Sequence, residues 1–457
     1  MAAPATACSE LRKGSRLNHD LGESLHAFIR ELYPLCRSIS GEGLRQTLRL
    51  IQQRIPIVIH EVPTGTPVLD WDIPNEWNIR GARIETTDGW SVVDFRDHSL
   101  HVVNYSAPID AVVTRAELAR HVHTLPDQPD LIPYRTGYFS DDWGFCLSHS
   151  QWQAMQEDQY RVVIDSTLAP GSVSYGELFI PGRESGEVLV SVHCCHPSLA
   201  NDNLSGIAIA TELARFVGQQ KRRRLGYRFL FIPGTIGSIA WLARNDAIVP
   251  RIRHGLILTC LGDAGKFHYK QSRQGSAVVD RAAAHVLRHS GQPFEVLPFS
   301  PYGYDERQFC SPAYDLPVGC FMRSPNGSFP EYHTSADNLE FVTAAALDES
   351  FQRVCDILGL LDTNAVYRRV DGRGEPQLGR RGLYRAISGQ KEAGGVSQMA
   401  LLWVLNLADG QHSLLDMAER ANMPYADIRA AAQLALAADL IEDVEPVSVA
   451  NTALAAA

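Results

Sequence analysis

Hydrophobic and polar positions along the 457-residue chain fall into three rhythms. Near the start, Leu21, Leu25, Phe28, Ile29 and Leu32 recur at helical spacing, and Leu44, Leu48 and Ile51 repeat it after Gly43. The turn between them, Cys36 to Gly41, is polar, and its Arg37 is read, like Arg45, as a surface cation. From Ile57 to about Ile164 the helical period gives way to short alternations, Trp90 to Phe95 and Leu100 to Tyr105, punctuated by prolines and tryptophans. This predicts a β-rich module with one helical run, Thr114 to Val122. From Gly176 onward strands and helices alternate. Strands are predicted at Leu178 to Ile180, Val188 to Val192, Tyr227 to Ile232, Gly255 to Leu261 and Val318 to Met322. Helices are predicted at Gly206 to Val217, Ile236 to Arg244, Val278 to Ser290 and Thr343 to Asp362. That alternation predicts an α/β fold with a mostly parallel central sheet and helices on both faces.

The expected division is an α/β domain over 19–66 and 166–365, an inserted β-rich module over 67–165, and a winged-helix-like domain over 380–445. Residues 1–18 read as a loose terminus, and 366–395 as an Arg- and Gly-rich link. The last unit rests on three helical runs, Gln398 to Leu407, Ser413 to Ala421 and Tyr425 to Ala437, followed by a strand-like Asp439 to Glu442. Its recognition-helix position carries one basic residue, Arg429, where DNA readers present several polar side chains. A packing or dimerisation role is therefore expected rather than a transcriptional one, and assembly into a homo-oligomer is left open.

Composition narrows the function class. The net charge of −10 argues against a nucleic-acid partner. Lys221-Arg222-Arg223-Arg224 is read as a solvated connection. The nine cysteines show no CxxC pair, there is no signal-peptide pattern, and no apolar run is long enough to span a membrane. A soluble, cytoplasmic protein is expected.

Candidate chemistry concentrates at Glu187 to Gly206, EVLVSVHCCHPSLANDNLSG. A buried strand ends on His193-Cys194-Cys195-His196, and Asp202 precedes a helix. Two imidazoles and a carboxylate at the C-terminal edge of a parallel sheet suit zinc. Capping histidines with Asp202 as helix cap would be the purely structural reading. Three further strand ends could bring partners: Leu261-Gly262-Asp263, Tyr304-Asp305-Glu306-Arg307-Gln308, and Pro330-Glu331-Tyr332-His333-Thr334-Ser335-Ala336-Asp337.

With those motifs, and with FIPGTIGSIAWL and PEYHTSADNLEFV, the chain resembles the co-catalytic zinc aminopeptidases. It resembles more closely a bacterial aminopeptidase-like family catalogued as a domain of unknown function, with an inserted β-module and a C-terminal winged helix. The resemblance covers most of the chain. It implies one or two Zn²⁺ ions, with Asp202 the central carboxylate, His193 or His196 a ligand, Asp263 a third ligand and His333 the distal histidine. Cys195 stands where the wider group has an Asp, and is either a thiolate ligand or a buried thiol. One departure matters. Relatives read Pro-Glu-Thr where this chain reads Pro233-Gly234-Thr235, so the glutamate that would act as general base is absent. Glu306 or Glu331 is expected to serve as the catalytic carboxylate, with Tyr332 and Arg307 contacting substrate. The implied activity is hydrolysis of a small peptide or N-acylated amino compound in a biosynthetic pathway. The alternative is a catalytically retired metal- or ligand-binding relative, for which restoring a glutamate at position 234 is the discriminating test.

Overall fold

A computed structural model describes residues 21–383 and 397–444. The expected loose terminus (1–18), the 384–395 part of the link and residue 445 lie outside the described residues. Its largest sheet has eight strands, in spatial order Val58–Pro63, Ser172–Ile180, Gly226–Ile232, Glu187–His193, Ile252–Leu258, Val318–Met322, Phe267–Lys270 and Phe294–Leu297. The four strands from Gly226–Ile232 to Val318–Met322 are mutually parallel, and antiparallel pairings flank them on both sides. The sheet is mixed with a parallel centre.

Glu187–His193 has the next strand in sequence, Gly226–Ile232, on one side and Ile252–Leu258 on the other. The chain thus reverses its direction of travel across the sheet at this strand. Such a switch point leaves a crevice beyond the carboxyl end of the strand, where α/β proteins place ligands. Every residue of Glu187–His193 and of Gly226–Ile232 is buried, so both faces of the sheet are covered there. That explains runs such as VLVSV, which show no polar alternation.

Most predicted elements are present within a residue or two. Ile236–Arg244, Val318–Met322, Gln398–Leu407 and Tyr425–Ala437 coincide with their predicted bounds. Two expectations in the β-rich region fail. Leu100 to Tyr105 holds no continuous strand, only isolated bridges at Val102 and Asn104 after a 3₁₀ turn, Ser99–His101, started by the His98 ring accepting from Leu100 N–H. The helix expected over Thr114 to Val122 is one turn, Arg115–Leu118, capped by Thr114. It stops because Val122–His123 pairs as a short strand with Phe145–Cys146. No described helix is long and apolar enough to cross a membrane.

The C-terminal unit contains the helices Gln398–Leu407, Leu414–Ala421 and Tyr425–Ala437, with a three-stranded antiparallel sheet of Asp409–Ser413, Val366–Arg369 and Ile441–Asp443. Tyr425, Ile428, Ala431, Ala432 and Ala435 are buried, so the alanines of the last helix serve close packing.

A separate four-stranded antiparallel sheet, in order Ser91–Asp94, Glu76–Thr86, Gln159–Ala169 and Ile109–Thr114, forms the core of the β-rich region. Its long strand starts at Glu76, which is held by Arg45 from the helix Glu42–Gln52. Arg45 Nη1 donates to Glu76 Oε1 at 2.9 Å, Nη2 also reaches Glu76, and Nε donates to Glu61 at 3.2 Å. The Arg45 hydrogen bond holds the Glu76 carboxyl at about 2, below its ordinary 4.5. A depressed carboxyl stabilises the fold above its unfolded pKa and loses that contribution as pH falls through the folded value. We therefore expect Glu76→Gln to destabilise by about 1 kcal/mol at neutral pH, the modest size reflecting solvent screening. Thermal melts should show the gap to wild type closing between pH 4.5 and about 2.

Candidate metal centre

The strand Glu187–His193 delivers His193 to the crevice, and Cys194 N–H still pairs with Ile232 O at 2.8 Å. The chain then turns through His196 and Ala200–Ser205 into the helix Gly206–Gln219. Within that turn Asp202 and Asn203 leave helical geometry, and the peptide bond between them is cis. The loop is braced on every side. Asp337 accepts from Asn201 N–H (2.5 Å) and Asp202 N–H (2.9 Å). Asn201 Nδ2 donates to Asp263 at 2.8 Å, and Asn203 Nδ2 to Leu258 O at 3.0 Å.

His193, His196 and Asp202 offer ligand atoms that all lie within 4.8 Å of one another, and all three residues are buried. Asp202 Oδ1 is 2.9 Å from His193 Nε2, while Oδ2 is 3.1 Å from His333 Nε2. The His196 ring completes the group, 4.8 Å from the His193 ring and 5.3 Å from that of His333. Burial pushes the Asp202 carboxyl upward, but His196, His193 and the histidine hydrogen bonds outweigh it, holding Asp202 well below the usual range. Burial lowers His196 far below its ordinary value, so it is neutral. An anionic carboxylate among three imidazoles is the donor chemistry that Zn²⁺ requires, and the residues fit the ion.

His333 comes from a loop with left-handed backbone (φ +55°), an uncommon conformation for a histidine. Tyr134 N–H holds its carbonyl at 2.7 Å. Tyr332 stacks on its ring at 3.9 Å. A cleft of about 370 Å³ opens beside it, lined by Leu125, Gln128, Tyr134, Arg135, Phe329 and Tyr332 among others. A larger cavity of about 520 Å³, lined by Tyr33, Trp77 and His98, contains none of the four grouped residues.

The other residues singled out from the sequence are placed differently. Asp263 accepts from Asn201, Ser324 and Gly265, bracing the Asp202 loop from behind. Glu306 is buried in an ion pair with Lys270. Glu331 is half-buried and does not line the cleft. Arg307 is exposed, with its guanidinium toward Pro301 O at 3.5 Å. Sequence reasoning missed Arg37, which is fully buried rather than superficial. Its Nε donates to His196 O at 2.8 Å and Nη1 to Leu32 O at 2.6 Å, and burial lowers its pKa to about 10. Cys195 is a buried thiol, pushed up to about 11 by burial. Its sulfur accepts Gly234 N–H at 3.3 Å and lies 3.2 Å from the Tyr304 hydroxyl and 3.5 Å from His196 Nδ1.

Tyr304 also explains position 234. A Cβ on Gly234 would lie 1.9 Å from the Tyr304 ring, which packs 4.1 Å from the His193 ring. The phenol fills the space a glutamate side chain would use, so restoring the acid alone cannot test its loss. We expect Gly234→Ala to destabilise by about 1–3 kcal/mol through overpacking, and Gly234→Glu by more. Tyr304→Gly should relieve much of that cost, giving a strongly non-additive double-mutant cycle in chemical denaturation. Additive effects would show that the ring does not define the space.

A family described as Domain of unknown function (DUF4910) matches residues 26–364, and a winged helix-turn-helix family matches 365–443. A Clostridium acetobutylicum protein whose name refers to polysaccharide biosynthesis and an aminopeptidase-like domain is 42% identical over 433 residues, covering 95% of this chain and 99% of its own. A crystal structure from the same organism, described as that of a peptidase, superposes with a TM-score of 0.89 at 41% identity, covering 95% of this chain and 99% of its own. A zinc aminopeptidase from Bacillus subtilis shares the fold at a TM-score of 0.54 and 13% identity, covering 78% of this chain and 95% of its own. On the first two of these likenesses and the match over residues 26–364, the chain belongs to the DUF4910 family, an aminopeptidase-like domain followed by a winged helix.

Proposed function

We propose that the protein is a zinc-dependent, aminopeptidase-like hydrolase that cleaves the amide bond of a small peptide or N-acylated amino compound. One observation carries the reading: the buried Asp202 carboxylate sits between His193 and His333, with His196 beside them. Zinc bound in such a set would supply a Lewis acid for the amide carbonyl and acidify a water toward neutral pH. His193, His196, Asp202 and His333 would hold the ion, with Asp202 carrying the negative charge. Arg37 anchors the His196 backbone, and Tyr134 fixes the His333 backbone, so both imidazoles arrive oriented. In hydrolysis the C–N bond breaks, hydroxide adds to the acyl carbon and a proton goes to the amine nitrogen.

The chain supplies one ion's worth of ligands. Asp263 is committed to the loop, Glu306 to Lys270, and residue 234 has no side chain. We assign a single zinc, since the described residues offer one group of three or more closely spaced ligand atoms. In this reading neither Glu306, paired with Lys270, nor Glu331, outside the cleft lining, serves as general base. Turnover should accordingly fall about 10²- to 10⁴-fold below that of a comparable site with a base. The clostridial relative's name suggests a step in polysaccharide biosynthesis as the setting. No disulfide joins the described cysteines, which suits a reducing, cytoplasmic compartment.

Elemental analysis of purified protein should find one zinc per chain. Asp202→Ala should weaken zinc binding by roughly 100-fold or more in a chelator competition, and chelation should lower the melting temperature of wild type only. Stoichiometric zinc retained in Asp202→Ala, or hydrolysis of N-acetylated dipeptides unaffected by it, would overturn the assignment.

A further inference from the structure

The cleft beside His333 is built by two segments that are stitched together. Along 128–135, Gln128 Nε2 donates to Pro330 O at 2.9 Å, Ile132 N–H to Ser335 Oγ at 3.0 Å, and Tyr134 N–H to His333 O at 2.7 Å. Ser335 N–H returns a bond to Ile132 O at 2.8 Å. Arg135, the next residue after Tyr134, is thereby held at a fixed place relative to the metal-ligand candidate His333. The residue is exposed, and its side chain makes no hydrogen bond or ion pair among the described residues; its charge is felt by His123 and Cys146. Of the described residues that line the cleft, Arg135 is the one with a formal charge; the rest are aromatic, apolar or neutral polar.

An aminopeptidase must neutralise the free α-ammonium of its substrate, and a carboxylate is the group that does so. This cleft presents none. Glu306 is buried against Lys270, Glu331 is outside the lining, and position 234 is a glycine covered by Tyr304. The charge that is present has the opposite sign. We infer that the site selects amide substrates with a blocked amine and an anionic group, a carboxylate or a phosphate, that docks on Arg135. The rings of Phe329 and Tyr332 flank the intervening atoms. Guanidinium suits both anions because its planar donors match two oxygens at once. This inference rests on the metal-site reading above.

The test uses full-length, zinc-loaded protein and hydroxamate probes, which share one metal-anchoring group. Calorimetry compares succinic monohydroxamate, its methyl ester, the matching phosphonate and glycine hydroxamate. The two anionic probes should bind about 10-fold tighter than the ester, and glycine hydroxamate no tighter than the ester. Whichever anion binds better identifies the group as carboxylate or phosphate. In Arg135→Gln the gap should close while ester affinity stays within about 2-fold and the melting temperature is unchanged; added salt should narrow the wild-type gap, since Arg135 is exposed. Equal binding of ester and anionic probes in wild type, a gap that survives Arg135→Gln, or tighter binding of glycine hydroxamate overturns the inference and leaves the metal site standing. Failure of every hydroxamate to bind zinc-loaded protein overturns the metal-site reading and the inference with it.

Discussion

The structure depends on one buried carboxylate. Asp202 sits in the interior, where an unpaired anion would cost several kcal/mol, and its cost is offset by His193 and His333 on its two oxygens and by the nearby His196. Holding it there requires a loop of non-helical backbone, and the loop in turn requires partners for every exposed amide. Asp337, Asp263 and Leu258 supply them from three other stretches of chain, and within the loop Ser205 Oγ donates to Asn201 O. The crevice at the sheet's switch point is what brings those stretches together, since the carboxyl ends of Glu187–His193, Ile252–Leu258 and Val318–Met322 all run toward it. Fold and site are in this sense one construction: remove the parallel centre and Asp202 has no partners.

The β-rich region contributes to that construction through Tyr134. A histidine held at φ +55° stores strain of order 1–3 kcal/mol and persists only where its surroundings over-determine it. Four hydrogen bonds from residues 128–134 and from Ser335 do so, along with the Tyr332 ring. The region thus fixes the direction of the His333 imidazole and also forms a wall of the cleft. Its attachment at the other end, the Arg45–Glu76 network, keeps the long strand Glu76–Thr86 tied to the helix that follows Arg37.

What could be read from the sequence follows the range of the interactions. Strands and helices of the sheet domain were legible because burial on both faces gives unbroken apolar runs, and a helix leaves its period in a dozen residues. The grouping of His193, His196 and Asp202 was legible because ten residues span it. Leu100 to Tyr105 misled because its alternation reflects packing of a non-repetitive segment, with Val102, Val103 and Tyr105 buried without a strand of their own. Arg37 misled for a related reason. A guanidinium in a polar turn is normally solvated, and only the tertiary structure places His196 O and Leu32 O within its reach. Glu306 looked available because Lys270, its partner, lies on a strand 36 positions earlier in the sequence, and no local pattern announces the pairing.

Position 234 joins these observations. A glycine where the resemblance implies an acid does more than lack a proton acceptor. It removes a negative charge, and here a neutral ring takes the volume: Tyr304 packs on His193 and turns its hydroxyl toward Cys195 rather than toward solvent. In the metal-site reading proposed above, a bound Zn²⁺ would set two positive charges against the Asp202 carboxylate, where a glutamate at position 234 would have supplied a further negative one. A centre of that sign repels a substrate ammonium and attracts an anion. Arg135 adds to the same field from the cleft wall, and Glu306, which could have opposed it, is cancelled by Lys270. On the proposed reading, the glycine at position 234 and the charge of the cleft act in the same direction, away from a cationic amino terminus and toward a blocked, acidic amide.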